Sequence, residues 1–407
     1  MRRVRQHLAK PRIDNVPSEI ADRMATVAGA VRPGMRIAVT AGSRGITGIP
    51  LILRTVVNVL RDLGADPFIV SAMGSHGGGT TPGQKRVLHH LGITEGSVGA
   101  PLRITSTAVE RGTTGTGRTL FVDAEAAKAD GIFVVNRIKP HTAFRDSLAS
   151  GLLKMLSVGL GKVPGATQVH NLGSSGIYSG VLEIGLLALK KLPVLGGLAI
   201  VENSLEETAR LEVLLPEEME EKEKELLRYA WELLPRLPIE KLDLLIIEEI
   251  GKNYSGTGMD TNVTGRWKDM DVKGPITPEI KRIVVLRLAA ASEGNANGIG
   301  QADFTTRKLV ESIDWKATLT NVHTTGFWSR AFCPPFPGSD RDAVRWAIES
   351  LKQPPDVPLT AARIRNTLHI EELWLNEAAS SAAKDCEKIG ELQPLKFNKE
   401  GDLLPGE

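Results

Sequence analysis

Cysteine is nearly absent: Cys333 and Cys386 are the only two in 407 residues, far apart and in no CxxC pair. That fits a reducing compartment and argues against a thiolate metal centre, so any metal must rest on imidazole, carboxylate or an imported cofactor. An excess of one charge is missing too. The 50 basic and 48 acidic residues leave a formal net charge of +2, and beyond a short N-terminal cluster (Arg2, Arg3, Arg5, Lys10, Arg12) there is no basic block. Nucleic-acid binding is therefore not indicated. No run of about eighteen apolar residues offers a membrane span, and no uninterrupted apolar stretch follows Arg2 and Arg3 as an export signal requires. No repeat of solenoid period is present. The chain is expected to be cytoplasmic.

What is present is an ordinary soluble composition, 42% hydrophobic and 24% charged, in a chain too long for one core. Short β-branched runs alternate with helical spacing. MRIAVT (35–40), PFIVSAM (67–73), Gly131 to Ile138, Val194 to Val201, LDLLIIEEI (242–250) and Ile283 to Leu288 read as buried strands, and Ile364 to Leu375 as a last one. Helical spacing follows Pro17-Ser18, fills Ile49 to Leu63, and opens at a Thr81-Pro82 cap pair. Further helices are expected from Pro216 to Leu234, with an acidic run read as a solvated face, from Thr306, and after Ser339 as N-cap. Asp303 reads as a ligand or a helix cap, with capping preferred. The pattern predicts two Rossmann-like α/β domains enclosing an interdomain active-site cleft. The first spans 1–237 and ends at Pro235 and Pro238, the second spans 238–380, and 381–407 form a loosely held tail.

The chemistry concentrates in Ala129 to Gly173, where His141, Lys154, Lys162 and His170 interrupt an otherwise apolar, glycine-rich stretch. Lys139-Pro140 cannot continue a central strand, so His141 is expected on the loop just beyond one. Lys154 lies inside GLLKMLSVGLG, where a cation must snorkel to water, lose its charge or be modified. A lysine desolvated in this way is a candidate nucleophile or covalent anchor. His170 follows VPGATQ, read as a loop, and is expected exposed at the end of an element. Earlier in the chain, Gly42-Ser43-Arg44-Gly45 follows the first strand and can hold an anion, the alternative being a tight turn with a solvated arginine. His76 precedes Gly77, Gly78 and Gly79, whose backbone permits close approach to a ligand. His89 and His90 fall near a helix end, where a dipole contact explains them. In the second domain GKNYSGTGMDTNVTGR presents Lys252, Asp260 and Arg266 after a strand. Ligands of open α/β sheets bind at such strand ends. Two histidines on opposite faces of one substrate carbon would provide the two bases that racemisation needs.

GSRGI, FIVSAMGSHGGGT, VVNRIKPHT, SGLLKMLSVGLGK and GKNYSGTGMDTNVTGR, in this order, resemble the nickel-dependent lactate racemase family over nearly the whole chain. The resemblance implies a nickel-pincer nucleotide tethered through a thioamide to Lys154, with His170 as the nickel ligand and His76 and His141 as alternating acid and base. It implies that Ser43, Arg44, Gly77 and Gly78 contact the cofactor, and that Arg44, Lys252, Asp260 and Arg266 contact a 2-hydroxy acid. Cofactor-synthesis enzymes are the implied partners. Where the family carries an aspartate before the arginine this chain has Ala41-Gly42-Ser43, and Leu153 replaces the arginine that usually precedes the tether lysine. Those departures point away from lactate to another 2-hydroxy acid, larger or sugar-derived. Two other readings stand beside this one. A hydrolase would bind zinc directly through His76, His141 and His170. A non-catalytic phosphate- or nucleotide-binding protein would use the glycine-rich loops alone.

Overall fold

The computed structural model describes residues 1–142, 145–268 and 277–406, and the chain divides into two compact units. Its first strand, β1 (Arg2–Gln6), belongs to the C-terminal unit. The N-terminal unit covers 9–141 and 145–234. It contains α1 (Val16–Met24), β2 (Arg36–Ala41), α2 (Ile49–Asp62), β3 (Asp66–Ser71), α3 (Thr81–His90) and the short α4 (Glu95–Val98). A hairpin of β4 (Ala108–Thr113) and β5 (Thr119–Asp123) precedes β6 (Gly131–Arg137). Then come a single turn α5 (Leu152–Lys154), α6 (Lys162–His170), α7 (Gly173–Lys191), β7 (Val194–Glu202), β8 (Thr208–Leu214) and α8 (Met219–Leu233).

Five strands make one sheet in the order β3-β2-β6-β7-β8, parallel except for β8. Helices cover parallel strands on both faces, which is why β2, β3 and β6 are continuous apolar runs rather than alternating ones. α2 turns Ile49, Ile52, Leu53, Val56, Val57 and Leu60 inward at helical spacing, onto Val39, Ile69 and Phe133. From β2 the chain moves outward to β3, whereas β6 adds on the opposite side of β2. The carboxyl ends of β2 and β6 therefore flank a topological switch point, where the connecting loops diverge and leave a crevice.

A buried ion pair ties this half together. Lys162, fully buried at the start of α6, reaches Asp123 at 2.7 Å, the carbonyl of Ser71 at 2.5 Å and the Ser71 hydroxyl at 2.8 Å. It thereby joins α6 to the ends of β3 and β5. Its backbone is left-handed, with φ of 53°, a strain that the three polar contacts hold in place.

The C-terminal unit has a six-stranded sheet, built from β9 (Lys241–Ile250), β10 (Glu279–Leu288), β11 (Ala361–Ile364), β12 (Glu372–Leu375) and β13 (Cys386–Lys388) with β1. The order is β10-β9-β11-β12-β1-β13; β10, β9 and β11 are parallel and the rest antiparallel. Helices α9 (Thr261–Thr264), α10 (Arg307–Glu311), α11 (Trp315–Thr325), α12 (Asp340–Ser350) and α13 (Glu377–Ala382) complete it. Among the described residues no helix is long and apolar enough to cross a membrane.

The two-domain α/β reading holds, with local corrections. The first eight residues do not belong with the N-terminal unit: Val4 enters the other core, and Arg3 and Arg5 both bind Glu372. The N-terminal basic cluster is partly accounted for by that carboxylate. Ile364 to Leu375 is two antiparallel strands, β11 and β12, because Asn366 turns the chain by accepting the amides of Leu368 and His369. The stretch read as a tail is pinned, with β13 on β1 and the Leu403 amide on Asp340 at 2.8 Å. Thr80 rather than Thr81 caps α3, and Thr306 rather than Asp303 caps α10. Ser339 caps α12 as read.

Removing the cation of the Lys162–Asp123 pair strands a buried carboxylate, so Lys162→Met should cost about 3–5 kcal/mol of unfolding free energy. Adding Asp123→Leu should recover part of that loss. Chemical denaturation of the three proteins reads both; an unmoved midpoint for Lys162→Met would show that the pair carries no stability.

Candidate active site

The N-terminal unit gathers its polar residues where its parallel strands end. After β2 comes Gly42-Ser43-Arg44, and a β-carbon on Gly42 would lie 3.5 Å from the methyl of Met155. After β3, Gly74 with φ of 56° donates its amide to the carbonyl of Gly159 at 3.1 Å. Gly77, Gly78 and Gly79 follow with φ of 65°, 66° and 65°. The turn folds so tightly onto the start of α3 that a β-carbon on Gly77 would fall 2.6 Å from the backbone of Gly83. Glycine favours this conformation, and at Gly77 a side chain would not fit this space. The loop carries His76, exposed, whose Nδ1 meets the Ser43 hydroxyl in a short hydrogen bond. That bond joins the β2 and β3 loops.

After β6 the backbones of Lys139 and Ser150 pair reciprocally at 3.1 and 3.2 Å, closing a loop that has half-buried His141 near its start. Asn136 donates to the carbonyl of Gly151 at 2.8 Å. α5 follows at once and carries Lys154. From Met155 to Gly159 the backbone winds as a π-helical turn, in which the Leu160 amide reaches the Met155 carbonyl at 2.8 Å. Such turns are rare, and recur at functional sites because they rotate neighbouring side chains out of helical register.

The start of α5 is capped from a distance. Glu223 of α8, 1% exposed, accepts the amides of Leu152 at 2.9 Å and Leu153 at 3.1 Å. Burial pushes its carboxyl pKa up to about 7, against the pull of those two amides. The acidic run of α8 is thus not wholly a solvated face. Met219, Glu223, Leu226, Leu227, Ala230 and Leu233 form one buried stripe at helical spacing, with the acid inside it. That position was the signal available in the sequence, since an acid on an apolar stripe must find buried donors.

Around Lys154 the electrostatics favour anions. Burial, with the neighbouring charge of Arg44, lowers the Lys154 pKa to about 8, although the residue keeps some exposed surface. Arg44 reaches solvent, yet surrounding protein and then the charge of Arg137 lower its pKa as well. Arg137 is itself paired with Glu202, which also accepts the Thr47 amide at 2.8 Å and so anchors the Arg44 loop. VPGATQ is helical rather than a loop, and His170 falls at the end of an element as read, the last residue of α6, though half-buried rather than exposed. Burial, then the charge of Lys154, lowers its pKa, and its Nδ1 is buried without a hydrogen-bond partner. An imidazole held neutral with an unpartnered buried nitrogen is what a single protein ligand to an imported metal requires.

The structure thus relates Ser43 to His76 by contact, and Arg44, Lys154 and His170 by charge. Among the described residues no group of three His, Cys, Asp or Glu side chains gathers as a metal site, so the three-histidine zinc centre is not assembled. In the C-terminal unit the polar loop residues hold their own loops. Lys252 donates to the Gly256 carbonyl at 2.7 Å and to Asn321 at 2.8 Å. Asp260 caps α9 through the Asn262 amide at 2.8 Å. Arg266 forms an ion pair with Asp303 at 3.0 Å, which explains Asp303 better than capping does.

A lysine with pKa about 8 has roughly a tenth of its amine neutral at pH 7, against less than a thousandth for an ordinary lysine. Labelling of the cofactor-free protein with an amine-selective reagent across pH, read by peptide mass spectrometry, should therefore give Lys154 a midpoint near 8. A midpoint in the usual lysine range would show that its amine is not desolvated.

Solved structures similar to this chain include the lactate racemase apoprotein from Thermoanaerobacterium thermosaccharolyticum, with a TM-score of 0.53 and 13% identity over 86% of this chain and 91% of that one. A protein from Thermotoga maritima, solved by crystallography, is similar with a TM-score of 0.50 and 14% identity over 79% of this chain and 83% of that one. No protein-family model and no curated protein matches the sequence. At these identities the likeness establishes architecture: the chain has a two-domain α/β fold similar to that of lactate racemase.

Proposed function

We propose that the protein is a racemase or epimerase of a 2-hydroxy acid, acting in the cytoplasm with a nickel-pincer nucleotide tethered at Lys154. One observation carries the reading: Lys154, with an amine pKa of about 8, lies within electrostatic reach of Arg44 and of a histidine whose buried Nδ1 has no partner. The fold likeness to lactate racemase supports it. Bound there, the cofactor would supply nickel and an acceptor for the hydrogen of the substrate's C2.

The chain's own residues have separate tasks. The Lys154 amine is the tether, and His170 offers Nδ1 to the metal. Arg44 binds an anion, the substrate carboxylate or the nucleotide phosphate, with a planar fork that suits either. The amides of Gly77 and Gly78, unobstructed by side chains, line the same strand-end crevice. His76 and His141 hold and return the proton of the 2-hydroxyl, one for each configuration at C2, and an imidazole near neutrality serves in both directions. Ser43 engages Nδ1 of His76 and so orients its ring.

Protein produced beside the cofactor-synthesis enzymes tests this by intact and peptide mass spectrometry with metal analysis. A nucleotide-sized adduct on Lys154 and stoichiometric nickel are expected. His170→Ala should keep the adduct and lose nickel. His76→Ala and His141→Ala should keep both while racemisation of the substrate, found by screening 2-hydroxy acids, falls about 10²–10⁴-fold. Unmodified Lys154, when a lactate racemase made alongside is loaded, would refute the proposal.

A further inference from the structure

We infer that Glu223 is a positioning residue for Lys154: accepting the amides of Leu152 and Leu153, its carboxyl group holds the turn that presents the lysine amine. Lys154 has this significance on the reading above, whereas the geometry is independent of it.

A helix opens with amides that have no partner within it, and at a surface water serves them. At α5 solvent does not reach them, because Leu152 and Leu153 are both fully buried. One oxygen of Glu223, Oε2, takes both amides, at 2.9 and 3.1 Å. The other, Oε1, lies against Gly151, where a β-carbon would be 1.9 Å away. Glycine at 151 is therefore the space in which the carboxyl group fits. The carbonyl side of Leu153 is held as well, by the Ser157 hydroxyl at 2.9 Å. Lys154 thus follows a residue clamped at both its amide and its carbonyl, at the entrance to the π-helical turn.

The action is geometric rather than electrostatic. The lowering of the Lys154 pKa arises from burial and from Arg44, and the Glu223 pKa of about 7 from burial against the two amides. A carboxylate, a carboxylic acid and a carboxamide each offer the acceptor oxygen needed. This separates Glu223→Gln, which keeps the acceptor, from Glu223→Ala, which removes it, and from Gly151→Ala, which displaces it.

The test uses full-length, cofactor-free protein, with Lys154 labelling across pH read by peptide mass spectrometry and folding followed by thermal melting. Glu223→Gln should keep the midpoint near 8. Glu223→Ala and Gly151→Ala should each raise it by about one pH unit or more, because the loosened turn lets the ammonium reach water. The double variant should shift no further than Glu223→Ala alone, since the two changes act on one contact. A folded Glu223→Ala protein with an unmoved midpoint overturns the inference, as does Glu223→Gln behaving like Glu223→Ala. If either alanine variant fails to fold, Glu223→Asp takes its place, its shorter stem withdrawing the same oxygen. Failure of the proposed function is distinguishable: Lys154 would then remain unmodified beside the cofactor-synthesis enzymes, while these labelling shifts persisted.

Discussion

Between Gly151 and Lys162 the chain runs largely through the interior of its unit, and each polar group buried there must find a partner or carry the cost of having none. Most are met from other elements. Asn136 takes the Gly151 carbonyl, Glu223 the Leu152 and Leu153 amides, and Asp123 and Ser71 the Lys162 ammonium. Against that background two groups stand apart. Lys154 has its charge disfavoured by burial and by Arg44, and His170 keeps a buried nitrogen without a partner. Departures from polar satisfaction concentrate where a protein does chemistry, since the surrounding structure must be stable enough to hold them.

The sheet explains why these groups meet the loops that they do. Parallel strands release their chains at one edge, and the switch between β2 and β6 opens that edge. The β2 loop brings Ser43 and Arg44, the β3 loop brings His76, and the β6 loop brings His141. The α5–α6 segment passes against the β3 loop, with Gly74 bonded to Gly159, so the π-helical turn and that strand-end loop pack together within a single unit. Packing of this kind fixes a side chain more firmly than a surface loop does.

Charge is arranged with the same economy. Arg137 forms an ion pair with Glu202, whose other oxygen accepts the Thr47 amide. The ion pair therefore holds the loop that carries Arg44. In the C-terminal unit Arg266 is similarly spent on Asp303.

The sequence by itself determined the parallel strands, the strand-end positions of His76 and His141, and the oddness of Lys154. Those follow from local rules: β-branched runs, a Lys-Pro that ends a strand, and a cation in an apolar stretch. It read VPGATQ as a loop, because nothing local shows that neighbouring helices supply the packing that lets a Pro-Gly segment stay helical. It also assigned Glu223 to solvent along with its acidic neighbours, and counted β1 with the wrong unit. Only the tertiary structure decided those points. Whether an acid lies on water or on two amides seventy residues away depends on which face of α8 turns inward against α5, and no local pattern carries the position of a distant donor.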